Sequence, residues 1–153
     1  MVKSNINIFR KDYKVIMKKL VECVPNISEG NDLSVINKIV ETVEKYPGIK
    51  LLNVDPGKAT NRTVITFVGD ADIIVDAAFK LISKAKELID MRKHFGEHPR
   101  MGAVDVCPLI PISGISMEET IDLAHKLSHR VGRSCQFLCI VMKMQQRKIK
   151  EKI

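Results

Sequence analysis

The chain has 153 residues, 45% of them hydrophobic and 28% charged, with a formal net charge of +7; this length predicts one domain with a single core, and no apolar run approaches the roughly 18 residues of a membrane span. The positive charge is confined to the ends, since residues 1–20 carry six Lys/Arg against Asp12 alone and residues 133–153 carry six against Glu151 alone. The body between them has 13 basic and 16 acidic residues, a net of −3, and the whole chain has only five Phe, two Tyr and no Trp. It therefore offers neither a basic stripe for a phosphate backbone nor platforms on which bases stack, which argues against nucleic acid as a partner.

Residues 1–16 have no clean period and precede a second methionine, Met17, so residues 1–18 read as an N-terminal extension. Residues 20–25 (LVECVP) read as a short buried strand, closed by a loop containing Asn26, Glu29 and Gly30. Asn31 or Asp32 then caps a helix whose apolar positions, Leu33, Ile36, Ile39, Val40 and Val43, recur every three or four residues, until Pro47-Gly48 ends it. Residues 49–54 and 62–68 form two strands, and the turn-rich DPGKATN of residues 55–61 makes them a hairpin. Gly69 stops the second of these, and Asp70 or Asp72 caps a long helix striped by Ile74, Ala77, Ala78, Leu81, Ile82, Ala85, Leu88 and Ile89.

A fourth strand is expected over residues 103–112, where Pro108 and Pro111 each remove a ladder donor and so argue for a sheet edge. Ser116 and Glu119 form a capping box for a third helix carrying Ile121, Leu123, Ala124 and Leu127. Residues 135–142 read as a fifth strand. The order βαββαβ is that of the ferredoxin-like α+β fold, an antiparallel sheet with helices on one face, to which the third helix and fifth strand are added. That fold hosts many functions and selects none.

Reactive side chains are densest in residues 90–110 (DMRKHFGEHPRMGAVDVCPLI). Pro99 disfavours helix at His98, which places this histidine on a loop beside Glu97 and Arg100. An imidazole with a carboxylate and a guanidinium as neighbours suits proton transfer; a surface histidine beside a turn has the same signature. His94 precedes His98 by four residues, but no helix is expected to run through Gly96 and Pro99, so an HxxxH metal pair is not. His125 and His129 share a helix face without a third ligand, and no metal is expected. By spacing alone Asp55 reads as a turn residue capping its own backbone, and Arg62 as an exposed strand-end charge. Cys23 and Cys107 read as small core hydrophobes. The cysteines, with Cys135 and Cys139, lack CxxC pairs, and no signal peptide precedes them, so reduced thiols in a cytoplasmic protein are expected, with silent sequons at Asn26 and Asn61.

Read together, LVECVPNISEG (20–30), NVDPG (53–57), TNRTVITFVG (60–69), LIDMRKHFGEHPRMGAVDVCPLIP (88–111) and ISGISMEET (112–120) resemble the N-terminal subdomain of glutamate formimidoyltransferase, the folate-dependent transferase also found fused in formiminotransferase-cyclodeaminase. The resemblance runs over residues 19–132, with GEHPRMGAVDVCP its most specific block, and leaves residues 133–153 as a divergent basic tail. It implies transfer of a formimino group from N-formimino-L-glutamate (formiminoglutamate) to N5 of tetrahydrofolate, the acceptor substrate, in histidine degradation. It implies further that His98 is catalytic and that Asp55 lies near it and orients its other ring nitrogen. For that reaction Arg62 and Arg100 are candidates to clamp the carboxylates of glutamate or of the folate tail.

The family continues past the third helix into a second subdomain, so this chain is expected to lack the half that closes the substrate tunnel. An apolar surface left bare in that way drives association, either as a homodimer or with the missing subdomain. The alternative from a different class is a non-catalytic folate- or protein-binding module, or a relic of the enzyme.

Overall fold

The computed structural model describes residues 18–97 and 102–135. Within them the chain runs β1 (Leu20–Cys23), β2 (Asn26–Ile27), α1 (Leu33–Glu44), β3 (Lys50–Gly57), β4 (Arg62–Asp70), α2 (Ala71–Leu88), a 3₁₀ turn (Met91–Lys93), β5 (Val104–Val106), β6 (Leu109–Ser113) and α3 (Met117–Cys135). Each helix starts on a side-chain cap that satisfies otherwise unpaired N–H groups. Asp32 accepts from the backbone of Ser34 at 2.8 Å and Val35 at 3.2 Å, and Asp70 accepts from Asp72 at 3.2 Å. Ser116 and Glu119 cap reciprocally: Ser116 Oγ accepts the Glu119 N–H at 3.1 Å, and Glu119 Oε2 accepts the Ser116 N–H at 2.9 Å.

The apolar stripes all turn to one side of the sheet. Ile36, Ile39 and Val43 of α1, Ile74, Ala77, Ala78 and Leu81 of α2, and Leu127 and Val131 of α3 join Val21, Cys23, Ile27, Ile65 and Phe67 in one buried cluster. Alternation along β4 leaves Arg62, Val64, Thr66 and Val68 on the opposite face, which no described helix covers.

The sheet is antiparallel, with strands in the order β5-β2-β4-β1-β6 and β3 paired to β4. β1 and β2 are two pieces of one ribbon beside β4, running from Leu20↔Asp70 to Ile27↔Thr63. β5 and β6 are likewise pieces of the next ribbon. Sequence alone predicts the first ribbon as a strand that ends at Pro25, with Asn26 already in a loop, and the second as a single strand over residues 103–112; instead β2 (Asn26–Ile27) resumes the first ribbon past Pro25. Pro25 and Pro108 have no N–H to donate, so the regular ladder breaks beside each, and their carbonyls keep the ribbons together by accepting from Ile65 at 3.0 Å and Val24 at 3.2 Å. The ribbon order is fourth-first-third-second, as the ferredoxin-like reading requires, and among the described residues the fourth ribbon is a border, as its prolines predict.

Two further differences concern lengths. β3 continues to Gly57 and β4 begins at Arg62, so the hairpin turn shrinks to residues 58–61 and Asp55 sits in the ladder opposite Val64. Pro56 is tolerated there because β3 borders the sheet. Cys135, expected to open a fifth strand, is instead the last residue of α3, because Leu127, Val131 and Cys135 continue the helical stripe. Residues 136–153, which hold the rest of the expected fifth strand and all of the basic tail beyond its residues 133–135, and the N-terminal extension up to residue 17 lie outside the described residues. Among the described residues no helix is long and apolar enough to cross a membrane.

On their outer side the helices are tied together by Asp76 of α2. Its carboxylate accepts from the Tyr46 hydroxyl at 2.5 Å and from Arg130 Nη1 of α3 at 2.6 Å, with Lys80 Nζ at 3.4 Å. The Tyr46 hydrogen bond, seconded by Arg130, holds Asp76 below the usual carboxylate range, and the same bond holds the Tyr46 hydroxyl above its usual value. A depressed carboxyl stabilises the fold above its unfolded value near 3.8 and loses that contribution as pH falls through the folded value; a raised phenol loses its contribution as pH climbs past 10. Asp76→Asn is therefore expected to lower stability by about 1 kcal/mol at pH 7, with the difference from the parent chain shrinking once pH falls below 3.8. Urea unfolding at pH 7 and on the acid side of 3.8 checks both.

Candidate active site

Three stretches distant in sequence meet at one end of the sheet: residues 26–30, the hairpin turn with the start of β4, and the residues on either side of 98–101. The first two touch at Gly30. A Cβ there would stand 2.5 Å from both Arg62 N and Gly57 O, and 2.8 Å from Arg62 O. All three are backbone atoms, so only glycine lets this loop lie against the hairpin.

Asn61 locks the contact. Its backbone occupies the left-handed region (φ 50°), which asparagine tolerates better than most residues. Its side-chain Oδ1 accepts the Gly30 N–H at 2.8 Å, while Nδ2 donates to the Phe95 carbonyl at 2.9 Å and lies 3.3 Å from His94 Nδ1. His94 Nε2 stands 3.2 Å from the Asn61 carbonyl oxygen. A carbonyl only accepts, so the ring proton belongs on Nε2, which leaves Nδ1 free to accept the Asn61 amide.

Ser28 anchors the other flank, its Oγ donating to the Gly102 carbonyl at 2.7 Å and its N–H to the Ala103 carbonyl at 3.0 Å. Thr63 Oγ1, fully buried, donates to Glu29 O at 2.5 Å and closes the cluster. Upstream, Asp90 caps the 3₁₀ turn and binds Arg92 Nε at 2.8 Å, and this side-chain bond lowers its carboxyl to about 2. Asn61→Ala loses three side-chain contacts and keeps a left-handed backbone, so a loss of about 2–4 kcal/mol is expected; Asn61→Gly should lose about 1 kcal/mol less. Urea unfolding of the two variants measures the difference.

Across the uncovered face Asp55, Val64, Asn26 and Val106 form one row over β3, β4, β2 and β5. Arg62, two residues before Val64, shares that face. It is no exposed strand-end charge: its side chain is 18% exposed, Nε donates to Asn26 Oδ1 at 2.9 Å, and Nη2 lies 3.6 Å from Asp105 Oδ2. Asp105 fixes the guanidinium and partly neutralises it, so an incoming carboxylate must bind the remaining N–H groups in its presence. Asp55 is exposed and is the diagonal neighbour of Arg62, a relation that sets residues about 7–8 Å apart, with Cβ atoms somewhat closer. One small substrate can touch both.

His98 and Arg100 lie outside the described residues; their chain neighbours Phe95, Gly102 and Ala103 are the anchored ones. His94 is bound to Asn61 through both ring nitrogens. His125 and His129 are exposed on α3, on the helix-covered side of the sheet. Among the described residues no group of three or more His, Cys, Asp or Glu could hold a metal ion. Asn26 and Asn61 are legible in the sequence only as loop residues and sequons, and Ser28 and Asp105 carry no local signal, because their partners lie 31 to 74 residues away. The one available signal was Asn61 in a hairpin turn, where positive φ favours Asn or Gly.

Fold and site together are those of an α+β domain that presents a guanidinium and a carboxylate on the bare face of its sheet. A family model, the formiminotransferase domain, N-terminal subdomain, matches residues 20–152, and the chain belongs to that family. It is 53% identical over 116 residues to formimidoyltransferase-cyclodeaminase of Rattus norvegicus. It is 47% identical over 117 residues to glutamate formimidoyltransferase of Streptococcus pyogenes serotype M1, and 49% over 113 to that of Thermoplasma acidophilum. These matches cover 74–76% of this chain but 21%, 39% and 37% of the relatives, so the chain spans about a fifth to two fifths of their length.

Proposed function

We infer that the chain carries the base-bearing part of a glutamate formimidoyltransferase, a cytoplasmic transferase of histidine degradation that moves the formimino group of N-formimino-L-glutamate to N5 of tetrahydrofolate. The observation that carries this reading is identity of 47–53% to relatives bearing the formimidoyltransferase name. The site supports it: the flanks of His98 are tied down at the sheet end that also holds Arg62 and, two residues along the same face, Asp55.

Attack of N5 on the amidine carbon makes a tetrahedral centre. Collapse towards product needs a proton on the departing glutamate nitrogen and the loss of one from N5. In this reading His98 carries both protons, for roughly 10²- to 10⁴-fold of rate. Asp55 orients its second ring nitrogen, and Arg62 and Arg100 take substrate carboxylates. Asn26 and Asp105 hold the Arg62 fork in one orientation before substrate arrives, which limits the ordering left to binding. The uncovered sheet face, with Val106 40% exposed at its border, is where a second subdomain or a second copy of the chain closes the site.

The test incubates the chain with formiminoglutamate and tetrahydrofolate, alone and with the separately expressed remainder of a full-length relative, and follows formimino-tetrahydrofolate. Transfer is expected when the remainder is supplied. A chain that neither transfers nor binds tetrahydrofolate in either preparation overturns the reading and leaves a protein-binding module in its place.

A further inference from the structure

Cys23 and Cys107 are 84 residues apart in sequence, yet their Sγ atoms stand 3.5 Å from one another. Neither thiol has a part in the proposed transfer. Cys23 ends β1 with no exposed surface, registered with Phe67 of β4 on one side and Leu109 of β6 on the other. Cys107 lies in the two-residue joint between β5 and β6, half-buried and so the more accessible residue of the pair. A disulfide brings its sulfurs to about 2.05 Å, so the pair must close by about 1.5 Å. The joint allows this: Cys107 is not in a strand, and the following Pro108 is held only through its carbonyl, which accepts from Val24.

We propose that Cys23 and Cys107 form a reversible disulfide when a peroxide reaches the chain, a modification site built into the joint that leads to Asp105 and Arg62. The Cys107 sulfur, as thiolate, attacks one peroxide oxygen; the O–O bond breaks, water leaves after protonation, and Cys107 becomes a sulfenic acid. The Cys23 sulfur then attacks the Cys107 sulfur, loses its proton and displaces hydroxide, which leaves as a second water. Two thiols and one peroxide give one disulfide and two waters, the sulfurs supplying the two electrons that the peroxide gains. The roles follow from position. Burial first, and then its bond to Cys107, push the Cys23 thiol well up, so it stays protonated and unreactive until an electrophilic sulfur forms beside it.

Both cysteines sit next to the residues that grip Arg62. Cys107 follows Asp105 by two residues and Cys23 precedes Asn26 by three, and these two side chains hold the guanidinium from either side. Drawing the sulfurs together therefore acts on both halves of that grip, and a dithiol reductant restores it.

The experiment treats the full chain with hydrogen peroxide, alkylates remaining thiols before unfolding, and maps peptides without reduction. A loss of about 2 Da and a peptide joining Cys23 to Cys107 are expected, both reversed by dithiothreitol. Cys107→Ser should abolish the link; Cys23→Ser should leave Cys107 to oxidise further. The mapping of the unaltered chain stands even if the core variant Cys23→Ser fails to fold. In the same sample the Arg62 Hε resonance should shift on oxidation and return on reduction. A chain that stays fully reduced, a link through Cys135 or Cys139 instead, Cys107 driven to sulfinic acid with Cys23 still free, or an unmoved Arg62 resonance would each overturn the proposal. None of these readouts requires transferase activity.

Discussion

Replacing His98 by alanine is expected to lower formimino transfer by about two orders of magnitude or more while the chain stays folded. The lost group acts in the transition state, where it passes protons between two nitrogens, so turnover and kcat/KM should fall together while substrate affinity holds. His94→Ala provides the contrast. That ring binds Asn61 through both nitrogens, and its loss should weaken the anchor of Phe95 and cost stability first. Steady-state kinetics on the reconstituted preparation, with an unfolding midpoint for each variant, separates the two. Near-full turnover in His98→Ala would remove it from the catalytic role.

Gly30→Ala should be the most damaging single methyl in the described chain. Three backbone atoms lie within 2.8 Å of where the new carbon must go, and backbone cannot swing aside as a side-chain tip can. Moving the loop breaks the Gly30 N–H bond to Asn61 and, through it, the clamp on Phe95. A loss of about 3 kcal/mol or more is expected, at the upper end for overpacking. Gly102→Ala is the control, because among the described residues its added carbon would meet only Val104 O, at 3.6 Å, and should change stability by less than about 0.5 kcal/mol. Chemical denaturation of the two variants against the parent decides the point, and equal midpoints would show that the Gly30 loop gives way more easily than its contacts imply.

Much of the architecture was readable without coordinates. The helices declare themselves because a stripe of period 3.6 and a capping carboxylate or hydroxyl are both local, and Asp32, Asp70 and Ser116 all cap as their sequence context suggests. Strand breaks were not readable: an apolar run such as LVECVP has the same composition whether the ladder continues through its proline or steps around it. Asp55 looked like a turn residue because Asp-Pro-Gly is a turn tripeptide, and only a border position, fixed by the rest of the sheet, lets it stay in a strand. The site divides in the same way. Arg62 is recognisable as a charge near the end of a strand, but its grip by Asn26 and Asp105 depends on contacts across 36 and 43 residues, which no local pattern encodes.

The borders of the sheet carry one more consequence. β3 pairs only with β4 among the described residues, begins with a lysine, is interrupted by an irregularity between Leu51 and Asn53, and contains Pro56. The far border is broken by Pro108 and includes Pro111. Lysine, proline and bulges are the devices by which natural sheets refuse a further strand. Among the described residues both borders thereby resist fibre-like growth by edge pairing, which favours a partner that stacks on the broad face, layer on layer.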